Sequence, residues 1–196
     1  DEPRIDKLSG EESDAPHLIR RAYSISHPLV DDKGELLSAV HPDFLEFYIT
    51  LVLKGSDTPP SLTPRLFNLQ ADRRIFVDPR VHGRYTLESV KPTDNVIFAA
   101  TGSGEAPHNA MVNELLSRSH QGHIASIVSV RRHRDLGYLE AHRQLERCFP
   151  KYRYIPLTTR ESENTDANHP KYVGKLYLQD VFQSESLPER LGFDPT

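Results

Sequence analysis

The residues best placed to do chemistry lie in one short stretch, Thr101-Gly102-Ser103-Gly104-Glu105-Ala106-Pro107. The apolar, β-prone run Asn95-Val96-Ile97-Phe98-Ala99-Ala100 leads into it, and a segment with helical spacing leaves it. A strand that turns through glycines into a helix start presents unpaired backbone N–H groups to an anion. The glycines remove the side chains that would hold a phosphate away. The same pattern also serves as a tight strand-to-helix connection with no ligand. Other chemistries find less support. Cys148 is the only cysteine and falls in a helical pattern, where a small core residue is expected. His120-Gln121-Gly122-His123 offers two ring nitrogens but no third ligand nearby, so no metal site is expected. There is no Gly-x-Gly-x-x-Gly fingerprint, no Gly-Lys-Ser/Thr of a P-loop and no serine or cysteine triad.

The elements that must position this turn divide the chain in two. Residues 1–16 are acidic and aperiodic and read as loop. Strands are expected at 18–26, 45–53, 74–77 and 83–87, with a turn-bearing loop or ragged hairpin over 29–43 and a turn-rich connection at 54–60. Thr63 reads as a helix cap with Pro64 at the first helical position. Beyond Lys91-Pro92-Thr93-Asp94 the pattern alternates: strands at 95–101, 124–130 and 152–157, and helices at 107–118, 136–149 and 175–186. Such alternation predicts a parallel α/β sheet. We therefore expect two domains, an antiparallel β domain over 1–92 and an α/β domain over 93–196.

Composition narrows the function classes. The 196 residues carry 24 basic and 28 acidic side chains, a net charge of −4, which argues against a protein that binds nucleic acid by neutralising phosphates. No apolar run approaches the roughly 20 residues that span a bilayer. With one cysteine no disulfide framework can form, and a cytoplasmic setting is expected.

Five motifs, in order, resemble the ferredoxin–NADP⁺ reductase family in its bacterial form. Arg21-Ala22-Tyr23-Ser24 resembles its flavin-binding Arg-x-Tyr-Ser. Ser61-Leu62-Thr63-Pro64-Arg65-Leu66 resembles its pyrophosphate-contacting helix start, and the Thr101–Pro107 stretch its Thr-Gly-Thr-Gly-x-Ala-Pro turn. Arg134-Asp135-Leu136-Gly137-Tyr138-Leu139 and Thr158-Thr159-Arg160-Glu161 resemble later family motifs. The resemblance implies a partial flavin-binding β-barrel followed by an NADP-binding α/β domain. Alone, Arg-x-Tyr-Ser would read as a strand with a surface arginine and a core tyrosine.

What the resemblance implies can be stated residue by residue. FAD would be held by Arg21, Ala22, Tyr23, Ser24, Tyr48, Ser61, Leu62, Thr63 and Thr101. Arg21 would pair with the pyrophosphate, and Tyr23 and Ser24 would lie at the isoalloxazine ring and its N5 as the catalytic residues. NADP(H) would be held by Gly102, Ser103, Gly104, Arg131, Thr159, Arg160 and Lys175. NAD sites usually place a carboxylate near the end of the second strand; here that strand runs into Arg131-Arg132-His133-Arg134, which suits a 2′-phosphate. A basic run of this kind also occurs as a solvated face. Lys175 keeps the charge of the family arginine without its fork.

The implied reaction is hydride transfer between NADP(H) and flavin N5, with electrons exchanged with ferredoxin or flavodoxin. Arg20, Arg21, Arg65, Arg73, Arg74, Arg80 and Arg84 could supply a basic docking face for such a partner. The alternatives are a non-catalytic NADP-binding module and an electron-transfer subunit serving another enzyme. The family's first barrel strands are expected before Asp1, and a Cys-Gly-x-Pro strand after Thr196, so the chain reads as an internal fragment. Two residues depart from the pattern: Glu105, where an apolar residue is common, and His108, where Phe is common. Both are expected beside the nicotinamide path, His108 as a packing substitute rather than an acid or base.

Overall fold

The computed structural model describes residues 19–37, 44–53 and 62–195. The chain forms two compact units, one of Asp1–Ser24 and Ile49–His82, the other of Ile25–Tyr48 and Gly83–Thr196.

The second unit is built on a parallel sheet of β1 (Val96–Thr101), β2 (Ile124–Val130) and β3 (Tyr152–Thr158), in that order. Thr101 pairs with Ser129 and Val130 with Thr158, so the three strands finish at one edge. All seven residues of β2 are buried, as its position between two strands and two helical layers requires. The two-residue period of a strand sorts the side chains. Phe98, Ala100, Ile124, Val128, Tyr152 and Tyr154 pack under α2 (Glu105–Ser117) and α3 (Leu139–Cys148). Ala125, Ile127, Ile155 and Leu157 pack against Val181 of α5 (Leu178–Phe182) and Leu187 and Leu191 of α6 (Leu187–Leu191). Right-handed crossovers that step in one direction across a sheet place both helices on one face, as α2 and α3 lie here.

Element boundaries differ from the sequence expectation where local geometry competes. The helix expected at 107 begins at Glu105, because Pro107 is tolerated within a first turn, where its missing N–H has no helical partner. The helix expected over 136–149 is a 3₁₀ turn at His133–Asp135 followed by α3, since Leu136 leaves the helical region. The expected 175–186 helix is replaced by α5 and α6, and α6 stops at Gly192 with φ of 79°. The polar stretch after β3 contains α4 (Ser162–Thr165). Cys148 is exposed in the last turn of α3 rather than in the core; it is the nearby Leu145 that faces inward.

The expected antiparallel ladders are not present among the described residues. Ser26 bridges Glu46, and Val30 bridges Leu36 across a turn that Asp31 closes by accepting from the N–H groups of Lys33 and Glu35. Strand preference expresses packing against neighbours more than intrinsic backbone bias. Ile75, Phe76 and Val77, though β-prone, stay exposed and form no strand. In the first unit α1 (Thr63–Phe67) is capped by Leu62 rather than Thr63. The Thr63 hydroxyl is instead engaged with the backbone N–H and carbonyl of Val52, at 3.1 and 3.3 Å. The expected features at 1–16, 38–43 and 54–60, and Ser61, lie outside the described residues. Among the described residues no helix is long and apolar enough to cross a membrane.

Candidate nucleotide site

The carboxyl edge of the sheet gathers three connections: the glycine turn after β1, the basic loop after β2 and the Thr159-Arg160 corner after β3. The glycine turn folds as a 3₁₀ turn, Gly102–Gly104, that runs directly into the 13-residue α2. Gly102 sits at φ of 53°, a left-handed conformation that disfavours a side chain, and the space a Cβ would occupy is open. An anion can therefore approach the backbone at the start of α2.

Backbone hydrogen bonds lock the other two loops together. Thr159 N–H donates to the Val130 carbonyl at 3.1 Å and Arg160 N–H to the Arg131 carbonyl at 2.9 Å, extending the β2–β3 pairing past the strand ends. The Glu161 carboxylate accepts from His133 N–H at 2.7 Å and lies 3.9 Å from the Arg132 guanidinium. Asp135 accepts from Arg132 N–H at 3.1 Å. The acidic groups nearest these loops thus hold the loops in place, while Arg131, Arg160 and Lys175 are exposed. Gly102, Ser103, Gly104, Arg131, Thr159, Arg160 and Lys175 all fall within this unit. The Thr159 hydroxyl is also turned to the Val130 carbonyl, at 3.3 Å.

The residues expected to contact flavin are divided. Arg21, Ala22, Tyr23, Ser24, Leu62 and Thr63 belong to the first unit, Tyr48 and Thr101 to the second. Arg21, Ala22 and Ser24 are exposed, and Arg21 donates to the Arg20 carbonyl. Tyr48 donates its hydroxyl to the Asp135 carbonyl at 2.7 Å and packs edge-on to Tyr138. Its ring lies so close to Gly137 that a Cβ there would approach it to 3.2 Å. Burial raises the Tyr48 pKa and keeps it a donor.

Glu105 does not face a ligand path. It is 1% exposed, the first residue of α2, with its side chain turned into the core. One carboxylate oxygen accepts from Tyr154 OH at 3.0 Å and lies 3.0 Å from His142 Nε2. His142 Nδ1 lies 2.7 Å from Tyr152 OH, and the imidazole stacks on Tyr154 with 4.0 Å between centroids. One arrangement satisfies this row: Tyr152 donates to Nδ1 and Nε2–H donates to Glu105. The other Glu105 oxygen has no partner among the described atoms. Sequence reasoning missed His142 altogether. Its one signal was an imidazole on the buried face of a helix in a chain whose glycine turn carries an acid.

His108 packs between Phe98 and Tyr85, its Nε2 2.8 Å from the Tyr85 hydroxyl, in the aromatic role expected of it. Burial lowers the pKa of both His108 and His142, against an opposing pull from Glu105. Each is held neutral in the fold but takes up a proton when unfolded. Their contribution is therefore complete above the ordinary histidine range and lost as pH falls through it, with a slope of at most about 1.4 kcal/mol per pH unit for each ring. Urea denaturation at pH 7.5 and 5.5 should show the unsubstituted chain losing more stability than His108→Phe; equal losses would refute this.

No family model matches the chain. It is 26% identical to the flavodoxin/ferredoxin–NADP reductase of Buchnera aphidicola from Schizaphis graminum, over 89% of this chain and 59% of that protein. It is 32% identical to ferredoxin–NADP reductase A of Sorangium cellulosum, over 78% of this chain and 55% of that one. The chain thus spans little more than half the length of these curated relatives. Its fold matches that of a Neisseria gonorrhoeae ferredoxin–NADP⁺ reductase solved with bound FAD and NADP, with a TM-score of 0.67 at 22% identity, covering 90% of this chain and 62% of that one. A Plasmodium falciparum ferredoxin–NADP⁺ reductase mutant solved with 2′P-AMP gives a TM-score of 0.64 at 19% identity, over 91% and 65%. In sequence the chain is thus similar to ferredoxin/flavodoxin–NADP reductases, and it shares its fold with solved examples of them.

Proposed function

We propose that the chain is the nucleotide-handling segment of an FAD-dependent reductase that moves electrons between NADP(H) and ferredoxin or flavodoxin. The observation that carries this reading is the carboxyl edge of the sheet. A glycine-flanked turn, open at Gly102 and leading into a helix start, stands there with two arginine-bearing loops whose backbones are bonded to each other. The residues fit NADP. Gly102, Ser103 and Gly104 leave room for a pyrophosphate against backbone N–H groups. Arg160 and Arg131 are exposed and available to a 2′-phosphate, and Glu161 and Asp135, which would repel it, are engaged in the loop. Lys175 adds a point charge.

Bound NADPH would supply the hydride. The protein's part is to hold the dinucleotide at this edge and to choose the phosphorylated form. The flavin is carried by likeness to the reductases; of the described residues named for it, six fall in the first unit and two in the second. Tyr23 and Ser24 remain the residues proposed to face a flavin. Cytoplasmic operation belongs to the same reading.

Calorimetric titration of the 196-residue chain tests it. NADP⁺ should bind at least about tenfold more tightly than NAD⁺, the worth of one charge-assisted contact to the extra phosphate. Absence of NADP⁺ binding, or equal affinity for the two, refutes the reading. Adding FAD separates a reductase from an NADP-binding module: retention supports the first, and NADP⁺ binding without retention supports the second.

A further inference from the structure

Beyond Arg160 the chain leaves the sheet and comes back against its core at Leu176, and one buried side chain joins the two ends of this excursion. Asn164, in α4, is 3% exposed. Its carbonyl oxygen accepts from Thr158 Oγ1 at 3.0 Å and from Glu161 N–H at 3.2 Å. Its amide donates to the Gly174 carbonyl at 3.1 Å. Gly174 lies at φ of 71°, a left-handed conformation disfavoured by other residues, and Lys175 follows it directly. Val173 N–H donates to the Glu163 carbonyl at 2.9 Å, a second tie between the outgoing and returning arms of the excursion.

We propose that Asn164 is a positioning residue for 2′-phosphate recognition: it fixes where Lys175 stands relative to Arg160. This rests on the NADP reading of the site. The side chain suits the task because it is short, neutral, and both donor and acceptor. It grips the end of the strand that leads to one cation and the backbone that precedes the other. Two exposed cations on long stems recognise one phosphate well only if their backbones are held in register. Without Asn164 the return segment is held to the outgoing arm, among the described residues, by the Val173–Glu163 backbone bond alone and Lys175 loses its fixed position, although Arg160 keeps its bond to the Arg131 carbonyl.

The experiment titrates the 196-residue chain with NADP⁺, NAD⁺ and 2′-phospho-AMP. Asn164→Ala should weaken NADP⁺ and 2′-phospho-AMP by about tenfold and leave NAD⁺ unchanged. In a Lys175→Ala background the same substitution should have no further effect, because the two act as one unit. Thr158→Val, which removes one of the three bonds and keeps the packing, should give a smaller loss of the same kind and covers the case in which Asn164→Ala fails to fold. Equal losses for NADP⁺ and NAD⁺, an unchanged ratio, or full additivity with Lys175→Ala would each overturn the proposal. A failure of the NADP reading itself is seen separately, as a lack of NADP⁺ preference in the unsubstituted chain.

Discussion

Replacing Glu105 by leucine is expected to cost about 2–4 kcal/mol of folding stability, because two buried donors lose the acceptor they share. The carboxylate is fully buried and is the shared acceptor for Tyr154 OH and His142. Truncation leaves both donors without a partner in a site that water does not reach, at about 1–3 kcal/mol each. As the first residue of α2, Glu105 also loses a favourable interaction with the helix N-terminus. Recovery is expected when the donors go too. A chain carrying Glu105→Leu, His142→Met, Tyr152→Phe and Tyr154→Phe together has no orphaned polar atom in the row, and most of the loss should return. Urea denaturation measures both variants. A cost below about 1 kcal/mol for Glu105→Leu would show that the row is not holding α2 against β3 and α3.

Arg160→Ala should weaken NADP⁺ binding by roughly 10- to 150-fold and change NAD⁺ binding by no more than about twofold, since one charged hydrogen-bonded contact is worth about 1.5–3 kcal/mol. The test is a clean one because the Arg160 backbone is held by its own N–H bond to the Arg131 carbonyl, independently of the side chain. Arg160→Lys should fall between the two, keeping the charge and losing the planar fork. Parallel loss of NADP⁺ and NAD⁺ would place Arg160 at the pyrophosphate rather than the 2′-phosphate. Unchanged binding of both would remove it from the site.

These two variants probe different layers of one design. The Glu105 row braces the start of α2 from inside the core, and the Arg160 corner acts at the rim of the same sheet. A loss at the first should appear as stability and a loss at the second as selectivity. The signals do not overlap.

Much of the α/β unit was legible in the sequence. A fully buried central strand must be apolar along most of its length, and 124–130 is, so both its extent and its place between two strands follow from residue type. The glycine turn was legible for a related reason: few residues other than glycine suit Gly102, and a strand followed by such a turn and a helical period has few other foldings. The strands expected in 1–92 were read from the same propensities with less success. A β-prone segment such as 74–77 becomes a strand only when another pairs with it, and pairing is a long-range fact that local composition does not contain.

By itself the sequence determined the order of strands and helices after residue 92, the phosphate-ready turn and the family likeness, because each depends on residue type at short spacing. Only the tertiary structure decided what the departures from the pattern do. Glu105 reads from the sequence as a charge beside a ligand path. The fold rotates it inward, where His142, 37 positions away, and Tyr154 supply its partners. Asn164 reads as one polar residue in a polar loop, and its role depends on Thr158 and Gly174 being brought to either side of it. A buried polar group is defined by the partners that satisfy it, and those partners meet only when the chain has folded.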